Sequence, residues 1–171
     1  MEIGIGIVGG GYMGKAHAVA MTAVGAVFNT ELRPKLEFVC SNSIESAERY
    51  QKEYGFANST NDWRKLVSDP RVNAVIIASP QSTHREIAIT ALRLGKPVFC
   101  EKPLTLTEEQ SKLLFDYAEM KGTKLYVDDI QNYRDYDFEI MEYNLVCPFT
   151  IFAETCPSIT ENSDRTGMAE A

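Results

Sequence analysis

Three glycines near the N-terminus, Gly9, Gly11 and Gly14, have the G-x-G-x-x-G spacing and directly follow an apolar run. A strand that turns through such glycines into a helix can hold a phosphate, because unpaired backbone N–H groups and the positive end of the helix dipole face the anion. Gly9 permits the tight turn, Gly11 admits a pyrophosphate, and Gly14 allows close helix packing. The pattern predicts a dinucleotide-binding turn made by Gly9, Gly11, Tyr12, Met13 and Gly14, with the pyrophosphate at Gly11 and Tyr12. A glycine-rich turn in another α/β protein is the alternative.

Strand-like and helical patterns alternate after this loop. The strands are predicted at 36–40, 72–78, 97–100 and 124–127, and the helices at 13–27, 44–54, 62–68, 83–94 and 107–121. This alternation predicts an α/β fold with a doubly wound parallel sheet, in which the loops after the strands lie at one edge. In the first helix the residues expected to face the sheet are Met13, Ala16, Ala20, Val24 and Val27.

Polar residues at the expected helix starts predict caps. Ser43 is a plausible N-cap, and the pairs Thr83 with Glu86 and Thr107 with Gln110 have capping-box spacing.

The composition disfavours several classes of protein. The chain has 171 residues and a net charge of −7, which argues against nucleic-acid and acidic-membrane contacts because these depend on Lys and Arg. Its four cysteines, Cys40, Cys100, Cys147 and Cys156, are widely spaced, so we expect neither a metal site nor disulfides. The first strand begins almost at once and no apolar run reaches membrane-spanning length, so we expect a cytoplasmic protein without a signal peptide.

Two further motifs point to a family. Residues 79–84 read Ser-Pro-Gln-Ser-Thr-His, and residues 95–103 read Gly-Lys-Pro-Val-Phe-Cys-Glu-Lys-Pro. With the glycines, and in this order, they make residues 2–127 resemble the nucleotide-binding half of the glucose-fructose oxidoreductase and inositol dehydrogenase family (Gfo/Idh/MocA). The resemblance implies an NAD(P)-binding Rossmann fold and hydride transfer between nicotinamide and a sugar- or polyol-like alcohol or carbonyl.

The resemblance also implies roles for individual residues. The nicotinamide would lie toward Ser79, Pro80, His84, Glu101 and Lys102. Lys102 would stand beside the substrate oxygen, where a fixed positive charge stabilises a developing alkoxide. We favour this role over proton transfer by Lys102; a surface lysine beside a turn proline is the alternative. In the family the peptide bond between this lysine and proline is often cis.

The two histidines of the chain, His17 and His84, are expected to serve structure or cofactor contact rather than proton transfer. His84 stands in the first turn of a predicted helix, where it can bond to backbone, and His17 follows the glycine loop.

Cofactor choice depends on the end of the second strand, where an acid would bind the adenosine ribose and repel a 2′-phosphate. Ser41 and Asn42 stand there instead, so NADP is slightly favoured over NAD, although no arginine is evident in the sequence nearby. Glu37 stands too early in the strand to reach the ribose.

The chain departs from the family after residue 128. Members carry a second α+β domain with an Asp-x-x-x-His pair, which this chain cannot contain because its only histidines are His17 and His84. We therefore expect a dinucleotide-binding domain over 1–128 and, over 129–171, a linker or the start of a truncated second domain. The alternatives to an oxidoreductase are a non-catalytic dinucleotide-binding regulator and a remnant that only binds cofactor. A homo-oligomer stays open, because the family usually pairs through its second domain.

Overall fold

The computed structural model describes residues 1–28 and 31–128. Its elements are β1 Glu2–Val8, α1 Tyr12–Val27, β2 Arg33–Cys40, α2 Ile44–Tyr54, β3 Asn58–Thr60, α3 Trp63–Ser68, β4 Ala74–Ile77, α4 Gln81–Arg93, β5 Val98–Glu101, α5 Glu108–Lys121 and β6 Leu125–Asp128. None of these helices is both long and apolar enough to cross a membrane. The expectations for 129–171 lie outside the described residues.

The described strands form one sheet in the order β3-β2-β1-β4-β5-β6. Every adjacent pair is parallel, which confirms the predicted doubly wound α/β fold. Val8 at the end of β1 pairs with Cys40 of β2 and with Ile77 of β4, and Ile77 pairs with Cys100 of β5. The segments after these four strands therefore begin side by side at one edge, which we call the carboxyl edge.

Both faces of the sheet are buried, as a parallel sheet with helices on each side requires. Along β4 the side chains alternate between two core clusters: Ala74 and Ile76 pack with residues of α1, and Val75 and Ile77 pack with residues of α3, α4 and α5. Period-two alternation on a central strand thus divides one core into two layers. Phe99 of β5 is on the α1 side and Cys100 is on the α4 side.

The structure corrects the expected face of α1. Its buried residues are Gly14, His17, Ala18, Met21 and Val24, of which only Val24 was predicted to face the sheet. The helix is rich in Ala and Val on all sides, so apolar periodicity alone did not define its orientation. Gly14 and His17 had not been counted as apolar, yet both are buried.

Strands β2 and β3 also differ from the prediction. β2 begins at Arg33 rather than at residue 36, because its polar first residues pair with Glu2, Ile3 and Gly4 of β1. The sequence analysis missed β3, a three-residue edge strand of Asn, Ser and Thr that pairs with the end of β2. Neither segment has the apolar pattern by which a strand is normally identified.

Two of the three predicted caps are confirmed. The hydroxyl groups of Ser43 and Thr107 accept hydrogen bonds from the backbone N–H groups of Ser46 and Gln110, at 3.2 and 3.3 Å. The third is wrong, because α4 begins at Gln81 and its N-cap is Pro80. Thr83 instead donates to the Pro80 carbonyl oxygen at 2.7 Å.

An ionic network braces the edge opposite the carboxyl edge. The buried Glu37 carboxylate lies 3.0 Å from Lys35 Nζ and 3.4 Å from Arg71 Nη1. Arg71 also donates from Nε and Nη2 to Asp69, at 2.9 and 2.7 Å. Lys96 Nζ donates to the Asp69 carbonyl oxygen at 2.6 Å. Lys96, the lysine of the Gly-Lys-Pro motif, is therefore a structural residue that precedes β5, whereas Lys102 follows that strand.

We predict that Asp69→Asn destabilises the fold in a pH-dependent way. The side-chain hydrogen bonds from Arg71 lower the pKa of Asp69 to about 2, below the value of about 3.9 in an unfolded chain. Its stabilising contribution is therefore complete above about pH 4 and is lost as the pH falls toward 2. Because the pair stands near the surface, we expect a loss of about 1 kcal/mol at neutral pH, measured by urea unfolding.

Asp116→Asn is the matched control, since Asp116 forms an exposed i,i+4 pair with Lys112. It should change the free energy of unfolding by less than about 0.5 kcal/mol. A difference between Asp69→Asn and wild type that stays constant between neutral pH and pH 2.5 would contradict the assignment.

Candidate functional site

The turn between β1 and α1 is built from backbone packed against backbone. Gly9 has φ of +111°, a conformation that disfavours a side chain, and a Cβ atom there would collide with the carbonyl group of Ala78. A Cβ atom at Gly14 would collide with the carbonyl oxygen of Gly9. Gly11 differs, because nothing stands within 4 Å of the position its Cβ would take. The glycines therefore combine a close passage at Gly9 and Gly14 with open space at Gly11.

The start of α1 faces that open space. Gly11 is the N-cap residue and provides no side-chain cap, so the first-turn amides of this 16-residue helix are available to an external acceptor. Tyr12 is 86% exposed, and Met13 is half-buried. An anion is the partner that such a helix start favours.

A cleft of about 650 Å³ runs along the carboxyl edge beside this turn. It contains six of the predicted site residues: Gly9, Gly11, Ser41, Asn42, Ser79 and Pro80. The remaining residues that line it are Val8, Gly10, Cys40, Ser46, Tyr50, Asn61, Trp63, Ala78, Thr83 and Ile87. The lining thus spans the ends of β1, β2 and β4, as expected for the ligand crevice of an open α/β sheet.

The other predicted site residues stand around this cleft rather than in its lining. Tyr12, Met13 and Gly14 belong to the first turn of α1, and Gly14 is buried under Gly9. Glu101 is the last residue of β5, the strand next to β4, and Lys102 follows it at the same edge.

His84 of α4 is 1% exposed and engages backbone with both ring nitrogens. Nε2 lies 2.7 Å from the carbonyl oxygen of Ser79, and Nδ1 lies 3.0 Å from the carbonyl oxygen of Pro103. Beside it, Gln81 Nε2 donates to the carbonyl oxygen of Thr105 at 2.9 Å. The start of α4 therefore connects the loop after β4 to the turn after β5.

Glu101 is also buried, and its partner is His17 of α1. His17 Nε2 lies 2.7 Å from Glu101 Oε1, and both side chains are at most 10% exposed. The His17 ring packs edge-on against Phe99, with the ring centroids 5.2 Å apart. His17 was expected to brace structure, and this contact shows what it touches.

Lys102 is exposed, between the buried Glu101 and the exposed Pro103. The Lys102–Pro103 peptide bond is cis, as the family resemblance implies. Lys102 thus presents a positive charge to solvent at the carboxyl edge, one strand away from Ser79 and Pro80.

Sequence reasoning missed Tyr50 of α2, which lines the cleft. A Cβ atom at Gly10 would collide with the Tyr50 ring, so the glycine turn rests on this side chain. Two cations flank the ring: Lys15 Nζ is 5.3 Å and the Arg49 guanidinium carbon 5.0 Å from its centroid. Tyr50 stands seven residues after the N-cap Ser43, a spacing that places both on one side of α2 and could have indicated it.

The described cysteines, Cys40 and Cys100, are free and buried. Burial raises the pKa of Cys40 to about 12 and that of Cys100 further, so neither thiol is a nucleophile at neutral pH. Within residues 1–28 and 31–128, no group of three or more His, Cys, Asp or Glu residues could hold a metal ion.

Comparison with known proteins agrees with this geometry. Residues 3–129 match the model of an oxidoreductase family with an NAD-binding Rossmann fold. The chain belongs to this family, Gfo/Idh/MocA, which confirms the resemblance drawn from the motifs.

Two curated relatives are sugar or polyol dehydrogenases. Levoglucosan dehydrogenase of Pseudarthrobacter phenanthrenivorans is 40% identical over 122 residues, which are 71% of this chain and 31% of that protein. Inositol 2-dehydrogenase 2 of Saccharopolyspora erythraea is 35% identical over 123 residues, 71% of this chain and 34% of that protein. The chain thus spans about a third of the length of these relatives.

A structure of levoglucosan dehydrogenase in complex with NADH and levoglucosan superimposes on this chain with a TM-score of 0.72. The two are 38% identical, and the match covers 74% of this chain and 35% of the other.

We predict opposite effects of one substitution at two glycines. Gly14→Ser should lower the free energy of unfolding by about 3 kcal/mol, because its Cβ meets the Gly9 carbonyl in a tightly packed turn. Gly11→Ser should raise the free energy of unfolding by about 0.3 kcal/mol, since its Cβ has room and serine is a slightly better N-cap than glycine. Urea unfolding of both variants checks this, and equal losses would show that the turn is not packed as described.

Proposed function

We propose that this chain is the cofactor-binding part of an NAD(P)-dependent oxidoreductase that transfers hydride between nicotinamide and a sugar- or polyol-like substrate. The main support is the cleft along the carboxyl edge, with the uncapped start of α1 beside it. Membership of the oxidoreductase family and the activities named for its relatives supply the substrate class.

The residues present fit a dinucleotide along this edge. The pyrophosphate would lie at Gly11 and the amides of Tyr12 and Met13, where no Cβ blocks its approach. The adenosine would lie toward Ser41 and Asn42, and the nicotinamide toward Ser79, Pro80 and the turn that carries Lys102. We assign Gly9 and Gly14 to the shape of the turn. The buried His84 and Glu101 support the nicotinamide side by holding its loops.

We further propose that NADP is preferred over NAD. No acid lines the described cleft, and Ser41 and Asn42 offer a hydroxyl and an amide where a ribose-binding carboxylate would repel a 2′-phosphate. The structure adds an arginine that the sequence analysis lacked: Arg49 Nη2 lies 3.3 Å from the hydroxyl oxygen of Tyr50, a residue of the cleft lining. Against this, the levoglucosan dehydrogenase structure holds NADH.

Fluorescence titration of the full chain with NADPH and NADH tests cofactor binding and choice. We expect tighter binding of NADPH, and Ser41→Asp should shift the ratio of dissociation constants about tenfold toward NADH by repulsion of the phosphate. Arg49→Gln should weaken NADPH alone, whereas the control Lys52→Gln, an exposed lysine on the same helix, should not.

An unchanged ratio in Ser41→Asp would show that the ribose lies elsewhere. No spectral change with either dinucleotide at millimolar concentration would overturn the proposed function.

The proposed chemistry assigns one task to Lys102. The bound dinucleotide would supply or accept the hydride. Lys102 would stand beside the substrate oxygen and stabilise the negative charge that develops there, as a fixed cation does without a proton transfer. Its exposure at the end of β5 leaves the ammonium group accessible to a ligand at the carboxyl edge.

Lys102→Ala should reduce polyol-dependent formation of NAD(P)H by the chain at least about a hundredfold, with levoglucosan and myo-inositol as probe substrates. The dissociation constant for NAD(P)H should change less than about threefold, because the phosphate turn is untouched. Lys102→Arg keeps the charge and should retain part of the activity, which proton transfer by this residue would not allow. Turnover by Lys102→Ala at the wild-type rate would remove Lys102 from the mechanism.

Dinucleotide binding without turnover is the second candidate function, either as a regulator or as a remnant. It is favoured by one observation: in this chain both histidines are buried against protein partners, so neither is free to exchange a proton with substrate. Tight binding of NAD(P)H by a wild-type chain with no turnover would support this candidate.

Charge and cysteine usage bear on the partners and the location of the protein. The acidic net charge of −7 disfavours nucleic acid. The two described cysteines, Cys40 and Cys100, are free and buried, which fits the reducing cytoplasm, where we place the protein. Homo-oligomer formation stays open.

A further inference from the structure

The turn that carries Lys102 is held on both of its sides by a histidine, one from each face of the sheet. Glu101, the residue before Lys102, receives His17 from α1 at 2.7 Å. Pro103, the residue after it, receives His84 from α4 at 3.0 Å. These are the only two histidines of the chain, and each contacts a neighbour of the same lysine.

The two helices reach this turn from opposite layers of the core. α1 packs in the cluster that contains Phe99, whereas α4 packs in the cluster that contains Cys100. Since Phe99 and Cys100 are successive residues of β5, their side chains point to opposite faces. The end of β5 is therefore contacted by a helix on each face of the sheet, while Lys102 itself is exposed.

His84 does more than hold Pro103. Its other nitrogen, Nε2, lies 2.7 Å from the carbonyl oxygen of Ser79. A carbonyl oxygen only accepts, so a ring nitrogen of His84 that carries a hydrogen donates to the carbonyl oxygen it faces. One buried ring then fixes the spacing between the Ser79–Pro80 loop and the Lys102–Pro103 turn.

We propose that His17 and His84 are positioning residues that set the place of Lys102 relative to the nicotinamide end of the cleft. This inference rests on the proposed function. His17 acts through the carboxylate of Glu101, and His84 acts through the carbonyl groups of Pro103 and Ser79. Neither contacts substrate. A misplacement of Lys102 by about 1 Å is enough to lose a productive geometry.

The contacts can be tested in the free chain by NMR of the histidine rings, which needs no ligand. Two histidines give two ring systems, and one variant of each assigns them. We expect at least one exchange-protected ring N–H proton for His84 and at least one for His17. A His84 ring with no protected proton would overturn the bridge between the two loops.

The positioning role is tested by comparing NAD(P)H with ADP-ribose or its 2′-phosphate, which lack the nicotinamide. His84→Phe and His17→Leu keep the bulk and remove the donors. Both segments, the Ser79–Pro80 loop and the Lys102–Pro103 turn, border the proposed nicotinamide position. We therefore expect these variants, unlike the side-chain truncation Lys102→Ala, to raise the dissociation constant of NAD(P)H about tenfold or more, and that of the nicotinamide-free ligand less than about twofold. His84→Gln and His17→Gln keep an N–H donor and should stay within about threefold of wild type.

Arg85→Gln, an exposed neighbour of His84 on α4, is the control and should change neither constant. Equal weakening of both ligands, or Gln variants as poor as Phe and Leu, would reduce the histidines to general structural residues and overturn the proposal. If the Phe or Leu variant does not fold, the Gln variants and the ring protons of the wild type still decide.

A wild-type chain that binds neither ligand would overturn the proposed function, and the positioning role with it. If the histidine ring protons in that chain were still protected, the histidine contacts would be present although the chain binds no dinucleotide. The two failures are therefore distinguishable.

Discussion

The architecture of the site depends on the passage of one backbone segment against another at the β1–α1 turn. Gly9 lies against the Ala78 carbonyl and Gly14 lies against the Gly9 carbonyl, at distances that leave no room for a Cβ atom. This passage seats α1 directly on the sheet and brings its first turn to the carboxyl edge. A side chain at Gly14 would push α1 away from the turn after β1, and a side chain at Gly9 would push that turn away from Ala78, just after β4.

The rest of the site follows from the parallel register. Because Val8, Cys40, Ile77 and Cys100 are paired across four strands, the segments that leave these strands emerge together. The proposed binding residues then come from segments distant in sequence, and each is placed by a strand that is buried on both faces. Such strands are rigid supports, which suits a site whose groups must keep fixed distances.

The sequence predicted those parts of the molecule that depend on local patterns. The glycine spacing, the apolar runs of β1 and β4 and the caps at Ser43 and Thr107 are local, and the structure confirms them. The short polar strand β3 is stabilised by pairing with β2 rather than by its own residues, and sequence patterns do not reveal such pairing.

The contacts of the site were beyond sequence reasoning for a related reason. His17 and Glu101 are 84 positions apart, and His84 and Pro103 are 19 apart. Only the folded sheet brings each pair together. The buried face of α1 was misjudged for the same reason. His17 is buried on this face because it contacts Glu101 at the end of β5, a partner that the local sequence does not reveal.

The motif from Gly95 to Pro103 shows how one strand can join the two edges of the sheet. Lys96, before β5, donates to the Asp69 carbonyl in the ionic network at the far edge, where burial lowers the pKa of Lys96 and Asp69 opposes that shift. Lys102, after β5, is exposed at the carboxyl edge. The first lysine fixes the beginning of the strand through a direct contact. The proposed role of the second requires that its ammonium group stay open to a ligand, and in that proposal its position is set by the residues on either side of it.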